Sequence, residues 1–261
     1  MLNRLRWREK YGLIGAARAI ASHAKKQLGW FPPGQKLLSV AKKRLALHQQ
    51  RLDFQLFDAK HGTDTSGVIP LFDLKVAESE AAGCIWYEAA SPVIFRQLMA
   101  ALEIPFGGFE FVDYGSGKGR MLMLAAEQGF RKATGIEFAV ELVEVARKNA
   151  EIFNRGRAKP TVIETLHMDA RDYILPDVPL VLFFFSPFRG AVLDRVLANI
   201  TASHARNPRP LFLVFNGRNP ESIERFRATG FACREVSLQR DPTRFIHYRG
   251  LIFAASHQEP K

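Results

Sequence analysis

Phe111-Val112-Asp113-Tyr114-Gly115-Ser116-Gly117-Lys118-Gly119-Arg120 decides the fold of this 261-residue chain. Phe111 and Val112 read as strand residues. Gly115, Gly117 and Gly119 then make a tight turn, and Met121–Glu127 continues as a helix. Glycines in such a turn let backbone N–H groups approach a ligand closely. The spacing is Gly-x-Gly-x-Gly, whereas a dinucleotide fingerprint runs Gly-x-Gly-x-x-Gly and needs no acid ahead of it. Asp113, two positions before the first glycine, suits a ligand with positive charge and an amine rather than a pyrophosphate.

S-adenosylmethionine carries both, on its sulfonium and its methionine amino group. A second acid, Glu137, ends the next expected strand in Gly135-Ile136-Glu137, eighteen residues past Gly119. That is the spacing at which a carboxylate on a neighbouring strand accepts hydrogen bonds from ribose hydroxyls. Asp113–Arg120 with Gly135–Glu137 resembles the first motif and ribose acid of class I S-adenosylmethionine-dependent methyltransferases. The stretch Tyr87–Asn154 is similar to the bacterial branch near the non-SET, histone-lysine-type enzymes, and to the small lysine methyltransferases that modify an ATP synthase subunit. The likeness runs from about His61 onward.

The order of elements agrees. Strands are expected at Glu110–Asp113, Ala133–Glu137, Thr161–Glu164, Leu180–Phe185, Leu211–Phe215, Phe231–Val236 and Phe245–Phe253. Helices are expected at Ser91–Leu102, Lys118–Gln128, Val140–Phe153, Arg189–Ser203 and Pro220–Ala228, and His61–Pro70 reads as a polar loop. Alternation of this kind predicts an α/β, Rossmann-like, doubly wound seven-stranded sheet, mostly parallel. The short link around Arg240-Asp241-Pro242 predicts a closing hairpin with the last strand antiparallel. The domains expected are a basic helical N-terminal extension, 1–60, and a methyltransferase domain, 61–261.

The resemblance also implies roles along the sheet. The cofactor set is Asp113, Gly115, Ser116, Gly117, Gly119, Glu137, Asp169 and Tyr87. Asp169, after the third strand, would meet the adenine amino group, or else is a turn or N-cap acid. Tyr87 would contact the methionine end, or else is an ordinary half-buried aromatic. Ser186-Pro187-Phe188, at the end of the fourth strand, resembles the Pro-Pro-aromatic motif of amino methyltransferases with one proline missing. Ser186 and the Pro187 carbonyl would hold an acceptor nitrogen and Phe188 would pack against it. Phe183 and Phe185 share one strand face and read as core. Arg240, Arg244, His247, Tyr248 and Arg249 read as a basic cluster, either for an acidic substrate group or as solvated hairpin positions.

Charge divides the chain. Residues 1–51 hold twelve Lys/Arg and one acid, Glu9, while 52–261 hold twenty-five of each sign. Any affinity for an anionic membrane or RNA therefore belongs to the arm. The arm reads as two helices, Asn3–Leu28 and Gln35–Phe57, split by Phe31-Pro32-Pro33-Gly34. The second carries a stripe of Leu38, Ala41, Leu45, Leu52 and Leu56, which favours a cap docked on the body. Cys84 and Cys233 lack metal or redox spacing and read as buried thiols of a reducing compartment. The seven histidines do not cluster, so no metal is expected. The location expected is cytoplasmic, with a mitochondrial presequence as the alternative reading of the Arg-rich start.

These readings predict a methyltransferase acting on an amine, either protein lysine or a small-molecule nitrogen. The alternatives are O-methylation of a small molecule or glycan, and a non-catalytic cofactor-binding protein docked to membrane or RNA through the arm. The methyl acceptor itself is not legible.

Overall fold

The computed structural model describes residues 54–70, 74, 86–239 and 248–255. The chain divides into two compact units. One, Met1–Asp53 with Arg240–His247, lies outside the described residues, as do the arm's first helix, nearly all of the second and the expected Arg240-Asp241-Pro242 link. The other is Phe54–Gln239 with Tyr248–Lys261, which holds all the described residues. Within it, Phe54–Asp58 forms a single π-helical turn that runs into the short helical turn Ala59–His61. Phe57 is fully buried while Leu56 is exposed, so the stripe's last residue faces outward here.

Seven strands form the main sheet: β3 (Glu110–Tyr114), β4 (Lys132–Glu137), β5 (Val162–His167), β6 (Leu180–Phe184), β7 (Leu211–Gly217), β8 (Ala232–Val236) and β9 (Arg249–Ala254). Their order is β5-β4-β3-β6-β7-β9-β8. The pairs β3–β4, β3–β6, β4–β5 and β6–β7 are parallel, and β9 is antiparallel to both its neighbours. The expected α/β sheet, with its last strand reversed, is therefore present. The strand order switches direction at β3 and β6, which start from the middle and wind outward. In such sheets ligands sit beyond the carboxyl ends of the strands at that switch.

The helices are α1 (Pro92–Ala100), α2 (Arg120–Gln128), α3 (Val140–Asn154), α4 (Gly190–Arg206) and α5 (Pro220–Arg227). Local signals set their starts. Ser91 Oγ accepts from Ile94 N at 3.2 Å with Pro92 in the first turn, and Asn219 Oδ1 accepts from Ser222 N at 2.8 Å ahead of Pro220. Helix α2 begins at Arg120, two residues after its expected start, because the glycine turn takes up Lys118 and Gly119.

Side chains alternate across the sheet into two cores. On one face Phe111, Phe183, Val214 and Ile252 meet Phe95 and Leu98 of α1, Leu122 and Met123 of α2 and Phe153 of α3. On the other Val112, Leu182, Phe184, Phe215 and Phe253 meet Leu193 and Val196 of α4 and Phe226 of α5. Phe226 lies against Phe215, Phe253 and Phe184, with ring centroids at 4.8, 5.4 and 5.1 Å.

Two expectations need correction. His61–Pro70 is not all loop. Val68–Pro70 is a strand, β1, paired antiparallel with β2 (Trp86–Glu88), placing Ile69 opposite Tyr87. The β-branched Val68-Ile69 pair favours extended backbone, and Pro70, which lacks an N–H, ends the ribbon. Cys233 is exposed rather than buried, because β8 is an edge strand whose residues 232–235 all face solvent. Cys84 lies outside the described residues. Among the described residues no helix is long and apolar enough to cross a membrane, and no group of three His, Cys, Asp or Glu stands close enough to hold a metal.

Candidate functional site

The turn between β3 and α2 is pinned to the end of β4. Gly115 N and Ser116 N donate to Ile136 O at 2.8 and 3.1 Å, and Gly119 N donates to Ser116 O at 2.9 Å. Gly117 N donates to Glu137 Oε2 at 2.9 Å, while Ala139 N donates to Oε1 at 3.0 Å. A carboxylate offers about four acceptor positions, so Glu137 keeps capacity for a further donor after holding the turn. Gly115 and Gly117 are required by close approach as well as by their φ of 74° and 53°. A Cβ on Gly115 would come 2.5 Å from Pro187 Cβ, and one on Gly117 would come 2.2 Å from the Tyr87 ring.

Asp113, the last residue but one of β3, is only 3% exposed. Burial, then the nearby Glu137 carboxylate, push it well above the ordinary carboxylate range, with no hydrogen bond offsetting them. Glu137 is also raised, chiefly by burial, against which the Ala139, Gly117 and Phe138 amides act. The Ser116 hydroxyl is buried without a hydrogen-bond partner among the described residues. A buried acid and a buried hydroxyl are thus left unmatched beside a glycine turn. Leaving such groups unpaired is costly, so their presence suits a ligand that brings a cationic donor. This set of acceptors fits the amino group and hydroxyls of S-adenosylmethionine.

A strap, Thr63–Ser66, lies across the same turn. Asp58, 1% exposed, accepts from Thr63 Oγ1 at 2.8 Å, Thr65 N at 2.9 Å, Thr65 Oγ1 at 2.6 Å and Ser66 Oγ at 2.5 Å. Arg120, from the first position of α2, approaches Asp58 at 3.6 Å and donates to Thr65 Oγ1 and Ser66 Oγ at 2.7 and 2.9 Å. Lys118 Nζ donates to Asp64 Oδ1 at 2.9 Å. Asn149 of α3 donates to Asp64 O and Lys118 O and accepts from Asp64 N, at 2.9, 3.0 and 2.9 Å. Tyr87 completes the strap by donating from its hydroxyl to Thr65 O at 2.6 Å, and burial raises its phenol above the usual range.

The sequence reading has Thr63–Ser66 within the polar loop His61–Pro70 but does not find Asp58, Arg120 and Asn149 as its anchors. The signal available was two cations, Lys118 and Arg120, inside an otherwise apolar strand-turn-helix segment. A buried cation needs an acid, and none is adjacent in sequence.

The remaining expected residues divide. Asp169 is the N-cap of the turn Ala170–Asp172, accepting from Arg171 N at 2.8 Å and pairing with the Arg171 guanidinium, which holds its carboxyl below the usual range. This is the turn-acid alternative of the two that the sequence left open. Ser186 adopts φ 45°, a left-handed conformation costing a non-glycine residue about 1–3 kcal/mol, and donates to Asn216 O at 3.4 Å. Pro187 packs on Gly115. Phe188 departs from its expected role against an acceptor. It is 9% exposed and stands edge-on to Tyr114 and Phe184 in the α4–α5 core. The reason is the Ser186 turn, which carries the chain to the opposite sheet face from Asp113. Phe183 is core as expected, and Phe185 is half-buried against the same core. Of the basic cluster, Tyr248 packs on Phe185 and Arg249 pairs with Glu235 at 2.5 Å; Arg240, Arg244 and His247 lie outside the described residues.

No protein-family model matches the chain, and a search of curated proteins finds no match. Among solved structures it is similar to the magnesium protoporphyrin IX methyltransferase of Synechocystis with bound SAM, at 19% identity, TM-score 0.44, covering 62% of this chain and 76% of that one. It is similar to a ribosomal protein L11 methylase of Lactobacillus delbrueckii subsp. bulgaricus at 16% identity, TM-score 0.44, covering 63% and 78%. An RNA methyltransferase of Salinibacter ruber in complex with S-adenosyl-L-homocysteine matches at 19% identity, TM-score 0.44, covering 67% and 97%.

Proposed function

We propose that this protein is an S-adenosylmethionine-dependent methyltransferase that transfers the methyl group to a nitrogen acceptor. The observation that carries the reading is Asp113: a buried carboxylate with no offsetting hydrogen bond, one strand from Glu137, at the switch point of a class I-type sheet. When bound, S-adenosylmethionine would supply a methyl group on a positively charged sulfur. Asp113 and the Ser116 hydroxyl would take its amino group, and the free acceptor position of Glu137 a ribose hydroxyl. The glycine turn would let the ligand lie against backbone, and the strap would keep water from that side. The neutral thioether is a good leaving group, so the protein's contribution is positioning.

Calorimetry with S-adenosylhomocysteine tests this. Binding is expected, and Asp113→Ala or Glu137→Ala should weaken it by about 1–3 kcal/mol each. Unchanged affinity in both variants would remove the site assignment. The finer kinship with the non-SET lysine-type branch is part of the same proposal, as is a cytoplasmic location. Contact of residues 1–51 with an anionic membrane or RNA is likewise proposed on charge alone.

A further inference from the structure

The α1–α2 face of the sheet holds a second group of side chains at its carboxyl end. Phe111, Phe183 and Val214 all lie in that face's core, and side chains two residues on share their face. Phe185, just beyond β6, and Asn216, on β7, therefore stand side by side, with Asp113 of β3 on the same face two residues nearer the strands' amino ends. The register supports this, since Asp113 lies opposite Phe183, and Phe184 opposite Phe215. Tyr248, immediately before β9, meets Phe185 edge to face, with centroids 5.0 Å apart and planes at 72°. Both rings are only half-buried, so part of each remains open. Asn216 is 2% exposed; its Nδ2 donates to Arg249 O at 3.1 Å, and no described residue donates to its Oδ1.

We propose that Phe185, Tyr248 and Asn216 form the acceptor subsite, and that it takes an alkylamine arriving as its ammonium cation. This rests on the methyltransferase reading and deepens it. Two aromatic rings attract a cation through their electron-rich faces. The amide oxygen of Asn216 accepts an N–H and so orients the nitrogen. Asp113 and Glu137, on the same sheet face, add a negative field. An alcohol would gain little from the rings and would need a base, and no His or Lys side chain is among these residues. The ammonium gives one proton to water at the open rim. The nitrogen lone pair then bonds to the methyl carbon as the carbon–sulfur bond breaks, its electron pair staying on sulfur, and the product is an N-methylated ammonium. The assignment also accounts for Phe188: the aromatic surface for the acceptor comes from Phe185 and Tyr248, so Phe188 is available to the other core.

Saturation-transfer NMR on the full chain with bound S-adenosylhomocysteine tests the subsite, using n-butylammonium, tetramethylammonium and n-butanol as probes. Both cations should bind and n-butanol should not. Tyr248→Ala should weaken both cations about tenfold, and Tyr248→Phe should retain them. Asn216→Ala should weaken n-butylammonium several-fold while tetramethylammonium, which has no N–H, stays within about twofold. Affinity for S-adenosylhomocysteine and melting temperature serve as controls for folding. Equal binding of n-butanol, or native cation affinity in Tyr248→Ala, would overturn the assignment. Binding of S-adenosylhomocysteine without the cations overturns only the acceptor subsite, whereas failure to bind S-adenosylhomocysteine overturns the methyltransferase reading itself.

Discussion

On the proposed reading, Asp113 is the residue at which stability and ligand binding oppose one another. Its carboxyl is raised by burial and by Glu137, so the folded protein holds its proton more tightly than the unfolded chain does. Below the unfolded value, near 4, the group is protonated in both states and costs nothing. As pH rises above that value the unfolded chain ionises first, and stability falls until the folded group ionises too. Asp113→Asn should therefore stabilise the unliganded protein at pH 7.5, by about 1–3 kcal/mol, with little effect at pH 4. The same variant should bind S-adenosylhomocysteine more weakly. Urea melts at the two pH values check the first part, and equal effects at both would show that ionisation is not the cause. Asp113, the three glycines and Glu137 carry a spacing readable without tertiary information, and the structure brings them together at the β3–α2 turn. Asp169 was not separable from a turn acid, because an acid ahead of a short polar run satisfies either role until Arg171 is seen beside it.

At the scale of elements, the strap and the turn it crosses act as one unit. Asp58 and Arg120 are both nearly inaccessible, and each is the other's charge partner. Removing one takes a buried charge partner from the other, so Asp58→Ala should cost about 3–5 kcal/mol, as should Arg120→Ala. The double variant should cost clearly less than the two together, which a double-mutant cycle in urea would measure. Additive costs would mean that the two residues act independently. On the opposite sheet face, Phe226→Ala should cost about 3–5 kcal/mol through the cavity left among Phe184, Phe215 and Phe253. The sheet strands were readable because each is a compact apolar run bounded by turn residues. The ribbon of β1 and β2 was not, since three-residue strands show no period, and their pairing joins residues from either side of a gap of fifteen positions. Phe188 misled for a related reason. Its aromatic character fits both a ligand contact and a core, and only the left-handed turn at Ser186 decides which face it joins.

At the scale of the whole molecule, charge is segregated: the arm carries the net +11 and the remainder is balanced. Deleting residues 1–51 should remove any salt-dependent affinity for anionic vesicles or RNA. Retention of that affinity, measured by co-sedimentation at two salt concentrations, would place it on the body. A cap would add a second effect, a lower melting temperature of the truncated chain. A finer consequence concerns time rather than energy. The Tyr87 ring lies against Gly117 while its hydroxyl is tied to Thr65 O and its face lies 5.8 Å from Lys118 Nζ. On the proposed reading, a ligand settling on that side of the turn waits for the ring to swing aside. Entry is then governed by an opening frequency, and the observed association rate should level off as ligand concentration rises. Stopped-flow mixing would show that plateau, and Tyr87→Phe, which releases the hydroxyl tether and keeps the ring, should raise it.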